Sequence, residues 1–229
     1  MGDDTGGRRR RSTALSPRVI HEEAVLILDE GGRDALTLRA LAGRLSTGAG
    51  AIYHHVGSRD DLLERVAFDL VGSALKGRHS REPGRAIQNL MLRIFDVIDN
   101  HSWVGAQLVA APWQPAVLVV LDRLGLELDL EGVSEPRQFQ AASTLMQYLL
   151  GVAGQHAAVQ SLPTESGRAE FLAAASSRAV DGSEHGLPMV ERMSQRIEHH
   201  DDRQQFADGV EIIMAGIKTT ESRPESGPD

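Results

Sequence analysis

Between residues 16 and 71 the apolar side chains recur at helical spacing, in short stripes that are each capped or closed by turn residues. That rhythm constrains the fold more than any other feature of the chain. Ser16-Pro17 opens the first stripe, since serine suits the N-cap and proline the first helical position. Ile20, Ala24, Ile27 and Leu28 then share one face, and Gly31-Gly32 predicts the stop. Thr37 caps a second stripe, in which Leu38, Leu41, Ala42 and Leu45 fall at i, i+3, i+4 and i+7 before Ser46-Thr47-Gly48 breaks it. A third, over 49–56, turns Ile52 and Val56 inward and ends at Gly57-Ser58. Ser58 is placed to cap a longer helix from Arg59, with Leu62, Leu63, Val66, Ala67, Leu70 and Val71 on its buried side. Short helices separated by so tight a turn make a helix-turn-helix.

The rest of the chain also reads as helical. Helices are expected over 85–100 (Ile87, Leu90, Met91, Ile94, Phe95, Ile98), 103–111 up to Pro112, and 114–128 with Pro115 in its first turn. The longest runs over 135–161 with Phe139, Leu145, Met146, Leu149, Val152 and Ala153. A Gly/Pro/Ser-punctuated stretch, 162–188, holds a loose helix near 169–179, and the last helix covers 202–219 with Phe206, Val210, Ile213, Met214 and Ile217. Aromatic residues are only 4% of the chain, a bias that suits helix-on-helix packing better than a sandwich or barrel. The expected fold class is therefore all-α. It comprises an arm at 1–15, a helix-turn-helix domain at 16–60, a connecting helix at 61–80, a second helical domain at 81–220 and a tail at 221–229. Arg81-Glu82-Pro83-Gly84 reads as a linker, and no internal repeat is evident.

Several function classes recede. The chain has no cysteine, which removes disulfides, thiolate zinc sites and cysteine nucleophiles. No apolar run approaches the roughly 18 residues of a membrane span, and the acidic opening Met1-Gly2-Asp3-Asp4 does not resemble a secretory signal. A cytoplasmic protein is the default expectation. Nucleophile-elbow, P-loop and HExxH patterns are missing, so no enzyme and no cofactor is expected. His199-His200-Asp201-Asp202 has metal-ligand chemistry, but adjacent residues rarely converge on one ion and no spaced partners accompany them. It reads better as the loop and cap before the final helix, with Asp201 or Asp202 as N-cap, and no metal site is assigned.

The helix over 49–56 carries the functional signal. It exposes Ala49, Gly50, Ala51, Tyr53, His54 and His55, while the preceding helix turns Arg39 and Arg44 outward. Small residues let a recognition helix approach the major groove closely, and an alanine methyl can meet a thymine methyl. Tyrosine and histidine offer hydrogen bonds to phosphate oxygens without a full positive charge. The net charge of −8 weighs against nucleic acid, but its distribution matters more than its total. Arg8–Arg11 open the chain and acids crowd its later part. That arginine run is either an arm entering the minor groove or a solvated tail, and composition favours the tail.

Thr37–Leu63 resembles the TetR family of regulators: a threonine and aliphatic helix, a short turn, then small-small-small-aliphatic-Tyr-x-His and a polar turn leading to Leu-Leu. The resemblance is specific over about 17–71 and weak beyond. It implies that Arg39, Ala49, Gly50, Ala51, Tyr53, His55 and Arg59 line a DNA face, with Tyr53, His55 and Arg59 on phosphates. Arg59 stands where the family usually has lysine. The chain departs from the family's Gly-aliphatic-Ser turn, so Thr47 is a weaker anchor and Ser46 must adopt a backbone shape that glycine takes more easily.

The resemblance further implies a C-terminal ligand-binding and dimerisation domain, in which two helices per subunit meet in a four-helix bundle. The 135–161 and 202–219 helices are the candidates. Gly151, Ala153, Gly154, Ala157 and Ala158, with Gly209 and Gly216, leave room for close crossings. An effector pocket would draw walls from Met91, Phe95, Trp103, Trp113, Met146 and Leu149, and polar anchors from His101, Gln107, Gln147 and His156. The expectation is a ligand-responsive homodimeric regulator, most commonly a repressor, on a pseudo-palindromic double-stranded operator. The alternative is an all-helical small-molecule-binding or interaction protein without DNA recognition.

Overall fold

The computed structural model describes residues 15–76, 85–160, 168–183, 186–199 and 201–221, and every regular element among them is an α-helix. In chain order they are α1 Pro17–Ala35, α2 Leu38–Arg44, α3 Ala49–Val56, α4 Arg59–Leu75, α5 Ala86–Asn100 and α6 Ser102–Ala110. There follow α7 Pro115–Leu130, α8 Glu135–Gln160, α9 Arg168–Asp181, α10 Pro188–His199 and α11 Asp202–Glu221. The Arg8–Arg11 run, the 81–84 linker and residues 222–229 of the expected tail lie outside the described residues. No single helix among those described is long and apolar enough to cross a membrane.

The chain divides into two compact units, Met1–Val66 and Ala67–Asp229, and the boundary falls inside α4. In the first unit the predicted stripes form the core. Ile20, Ala24, Ile27 and Leu28 of α1 are buried, as are Leu41 and Ala42 of α2, Ile52 and Val56 of α3, and Leu62, Leu63 and Val66 of α4. Leu38 and Leu45 close the ends of the α2 stripe and are only half-buried. The expected stop at Gly31-Gly32 is a kink: Gly32 takes φ 69°, ψ −171°, and the helix then resumes as far as Ala35.

In the second unit α8 packs on α6 and α7, and α11 packs on α5 and α8. An aromatic column runs through its centre. Phe206 of α11 stacks on Phe95 of α5 (centroids 4.9 Å apart) and on Tyr148 of α8 (5.2 Å, planes 6° apart). Gly209 makes room for it, since a Cβ there would sit 2.1 Å from the Tyr148 hydroxyl. The α5–α11 contact is tied by Arg203, whose Nε and Nη2 donate to both oxygens of Asp96 at 2.7 and 3.2 Å. A second close crossing joins α6 to α8, where a Cβ on Gly105 would approach the Ala153 carbonyl to 2.9 Å. Ala153 and Gly209, expected to serve a crossing between subunits, thus serve crossings within the chain.

One helix was not anticipated. Pro188 starts α10 at its first position, and Met189, Val190, Met193 and Ile197 recur at helical spacing, but they are set among charged residues close to the Gly/Pro/Ser-punctuated stretch. Phe139, expected on the apolar stripe of α8, lies in the first turns of that helix and is 72% exposed.

Candidate nucleic-acid interface

The site is built on the turn between α2 and α3. Thr37 caps α2 as expected, its Oγ1 accepting from the Ala40 N–H at 3.0 Å. At the other end the Ser46 N–H donates to the Gly43 carbonyl (3.2 Å) and the Thr47 N–H to the Ala42 carbonyl (2.9 Å). That pair of bonds is the Schellman arrangement, in which the residue after the C-cap is left-handed and usually glycine. Ser46 fills the position at φ 51°, a positive value found at no other non-glycine residue among those described. The turn therefore has the geometry of the motif despite the altered residues, and stores some strain at Ser46.

The other end of α3 is fixed as firmly. Gly57 takes φ 74°, and a Cβ there would meet the Asp61 carboxylate at 2.8 Å. Ser58 and Asp61 form a reciprocal cap: the Asp61 N–H donates to Ser58 Oγ (3.1 Å), and the Ser58 N–H donates to Asp61 Oδ2 (2.9 Å). The Ser58 hydroxyl donates to the same oxygen at 2.7 Å. These bonds, led by the backbone one, hold the Asp61 carboxyl below its ordinary pKa.

Between these fixed ends α3 buries Ile52 and Val56 and presents Ala49, Gly50, Tyr53, His54 and His55 to solvent, with Ala51 half-buried. By the 100° step of a helix, His54 points opposite Ile52 and Val56, with Gly50 beside it. Tyr53 is 59% exposed. Arg39 on α2 is exposed and makes no ion pair or hydrogen bond among the described residues.

Two other arginines have different roles. Arg44 points away from the core, as expected, but its Nη1 donates to Glu23 at 3.0 Å and its Nη2 to Glu30, so it straps α2 to α1. Arg59 was expected on the DNA face. Its Nε donates to the Leu36 carbonyl at 2.7 Å, its Nη2 to the Arg33 carbonyl, and its Nη1 to Asp60 at 3.1 Å. The guanidinium closes the C-terminal end of α1, where carbonyls lack helical partners. Nothing in sequence spacing links residue 59 to carbonyls more than twenty residues upstream, so this contact was invisible there.

The residues expected around an effector separate in the second unit. Met91, Phe95, Trp103, Gln107, Met146 and Leu149 are buried on α5, α6 and α8, which pack on one another. Trp113 is 78% exposed on the α6–α7 connection and Gln147 faces outward from α8, so neither contributes to that interior. His101 is half-buried beside Trp103, with ring centroids 6.5 Å apart. His156 meets the edge of Phe95 at 5.2 Å and lies between Asp99 (3.8 Å) and Asp202 (3.7 Å), bridging α5, α8 and α11. The cap before α11 is Asp201, whose Oδ1 accepts from the Gln204 N–H at 2.9 Å.

A three-helix unit with a tight, correctly capped turn and a small-residue second helix defines a helix-turn-helix regulator class. Residues 20–66 match the model of the bacterial regulatory proteins of the tetR family. A TetR transcriptional regulator of Streptomyces coelicolor shares the fold with a TM-score of 0.77 and 34% identity, over 90% of this chain and 99% of that one. The TetR family protein ActR of the same organism, solved in complex with (S)-DNPA, superposes with a TM-score of 0.69 at 25% identity, over 90% and 98% of the two chains. An HTH-type transcriptional regulator of Mycobacterium tuberculosis is 34% identical over 82 residues; the match spans 36% of this chain and only 38% of that relative. The chain belongs to the TetR family.

Proposed function

We propose that the protein is a ligand-responsive repressor that binds a pseudo-palindromic operator as a homodimer. The observation that carries this reading is the α3 surface. A helix held rigidly at both ends exposes small residues followed by Tyr53, His54 and His55, beside an unengaged Arg39. Ala49, Gly50 and Ala51 allow close approach to base edges, Tyr53 and His55 reach phosphates, and His54 faces the groove. Arg59 braces the unit that presents this surface and is assigned no phosphate of its own.

Dimerisation is supported by what α8 and α11 leave uncovered. Thr144, Gln147, Gly151, Gln155 and Ala158 make an exposed stripe on α8 at spacings of three and four. Ile212, at 73% exposure, and Gly216 lie on the open side of α11, and a Cβ on Gly151 or Gly216 would meet nothing within 4 Å. Paired across a two-fold axis, such faces form a self-complementary interface and set two recognition helices about 34–36 Å apart. Effector binding inside the second unit then biases α4, which belongs by its first half to one unit and by its second half to the other. By linkage, operator DNA weakens the effector by the same factor that the effector weakens DNA. The (S)-DNPA complex of ActR supports the binding of an effector by this fold.

The test is selection from randomised duplexes, followed by Arg39→Glu. An enriched palindrome whose binding is lost in that variant, with an unchanged melting temperature, is the expected result. Retained binding by Arg39→Glu, or no enrichment by folded protein, contradicts the proposal.

A further inference from the structure

Gln107 and Gln114 are both at least nine-tenths buried and form a directed chain across the α6–α7 connection. Gln114 Nε2 donates to the Gln107 backbone carbonyl at 2.8 Å, which fixes the orientation of that amide. Its Oε1 then accepts from Gln107 Nε2 at 3.3 Å, which fixes the second amide in turn. Turning the Gln107 amide over would set two oxygens against each other, so the polarity of the chain is determined. It ends at Gln107 Oε1, an acceptor that is buried and has no hydrogen-bond partner among the described residues.

Such an orphan is rare and destabilising in a folded protein. Structural need does not account for it. The fold uses one end of the Gln107 amide, whose Nε2 satisfies the buried Gln114 oxygen, and leaves the other end without a partner among the described residues. Trp103 and Val104, one turn earlier on α6, are buried on the same side of the helix. The oxygen therefore sits on the apolar interior side of α6, the helix that packs on α5 and α8.

We infer that Gln107 Oε1 is the polar anchor of the effector site, accepting one hydrogen bond from a hydroxyl or N–H group on an otherwise apolar ligand. This rests on the effector-responsive reading above and narrows its chemistry. The group that meets Gln107 is a donor. A ketone, ether or carboxylate oxygen at that point would face another acceptor and be rejected.

The test uses 2-naphthol and 2-methoxynaphthalene, which share an apolar body and differ in the single donor. Binding to the full chain is followed by tryptophan fluorescence and by thermal shift. Wild type is expected to favour 2-naphthol by about tenfold. Gln107→Met should erase that preference while changing 2-methoxynaphthalene affinity by less than about threefold. Gln114→Met, which frees the Gln107 amide to turn, should reduce the preference and provides a second variant should the first fold poorly. Equal binding of both probes by wild type, or an undiminished preference in Gln107→Met, overturns the inference and leaves the effector reading standing. Binding of neither probe contradicts the apolar effector site itself, and the inference falls with it.

Discussion

Ser46, Arg59 and Asp61 show how single residues hold the recognition unit in shape. The left-handed backbone at Ser46 was foreshadowed by the family resemblance, since the family's turn has glycine there, which adopts that shape without strain. Ser46→Gly should therefore stabilise the protein by about 1 kcal/mol, read as a rise of a few degrees in melting temperature. A fall would show that the serine side chain contributes more than its backbone costs. Arg59 illustrates the opposite case, since its partners come from the far end of α1. Arg59→Met should lower stability by about 1.5–3 kcal/mol, the range for hydrogen bonds from a charged group, and should do so in the absence of DNA. Asp61 gives a pH signature. Its folded pKa lies below its unfolded one, so its contribution is complete above the unfolded value and is lost as pH falls through the folded value. The melting-temperature gap between wild type and Asp61→Asn should accordingly be constant from about pH 6 to 8 and close below about pH 4. A gap that persists at about pH 2 would contradict it.

At the scale of elements, the helices with strong stripes and clear caps were readable and the others were not. Ser16, Thr37 and Ser58 each cap the helix that sequence assigned to them, since a cap is a local bond over three residues. By contrast the apolar stripe of α10 is set in a strongly charged segment, and α1 breaks at Gly32, where its glycine pair predicted a stop, before continuing as far as Ala35. The small residues of α8 and α11 were visible, but not their division of labour. Ala153 and Gly209 are used by Gly105 and Tyr148 of the same chain, whereas Gly151 and Gly216 remain open. This difference is testable. Gly209→Ala should destabilise the monomer fold, because the added carbon would displace the Tyr148 ring from its stack on Phe206. Gly216→Glu should leave the melting of secondary structure nearly unchanged and shift the species seen by sedimentation from dimer toward monomer. A dimer insensitive to that substitution would move the interface elsewhere.

For the molecule as a whole, the acidic balance of −8 was a poor guide to function and the arrangement of charge a better one. Arg44 is neutralised by Glu23 and Glu30, and Arg59 is absorbed by carbonyls, so the α2–α3 surface offers few cations of its own. On the proposed reading, Tyr53, His55 and Arg39 carry the phosphate contacts there and His54 faces the groove, two such surfaces acting together in a dimer. The interior of the second unit was partly legible: the buried apolar residues of α5 and α8 were found from periodicity, while the burial of α6 and the exposure of Trp113 and Gln147 depend on how helices end and pack. Phosphate-gripping, sequence-specific binding by a dimer is tested by operator affinity as a function of salt. For the selected palindrome, log affinity should fall linearly and steeply with log salt, with a slope that flattens in Arg39→Gln by about two charges' worth per dimer. Affinity independent of salt, or a slope that Arg39→Gln leaves untouched, would contradict the account.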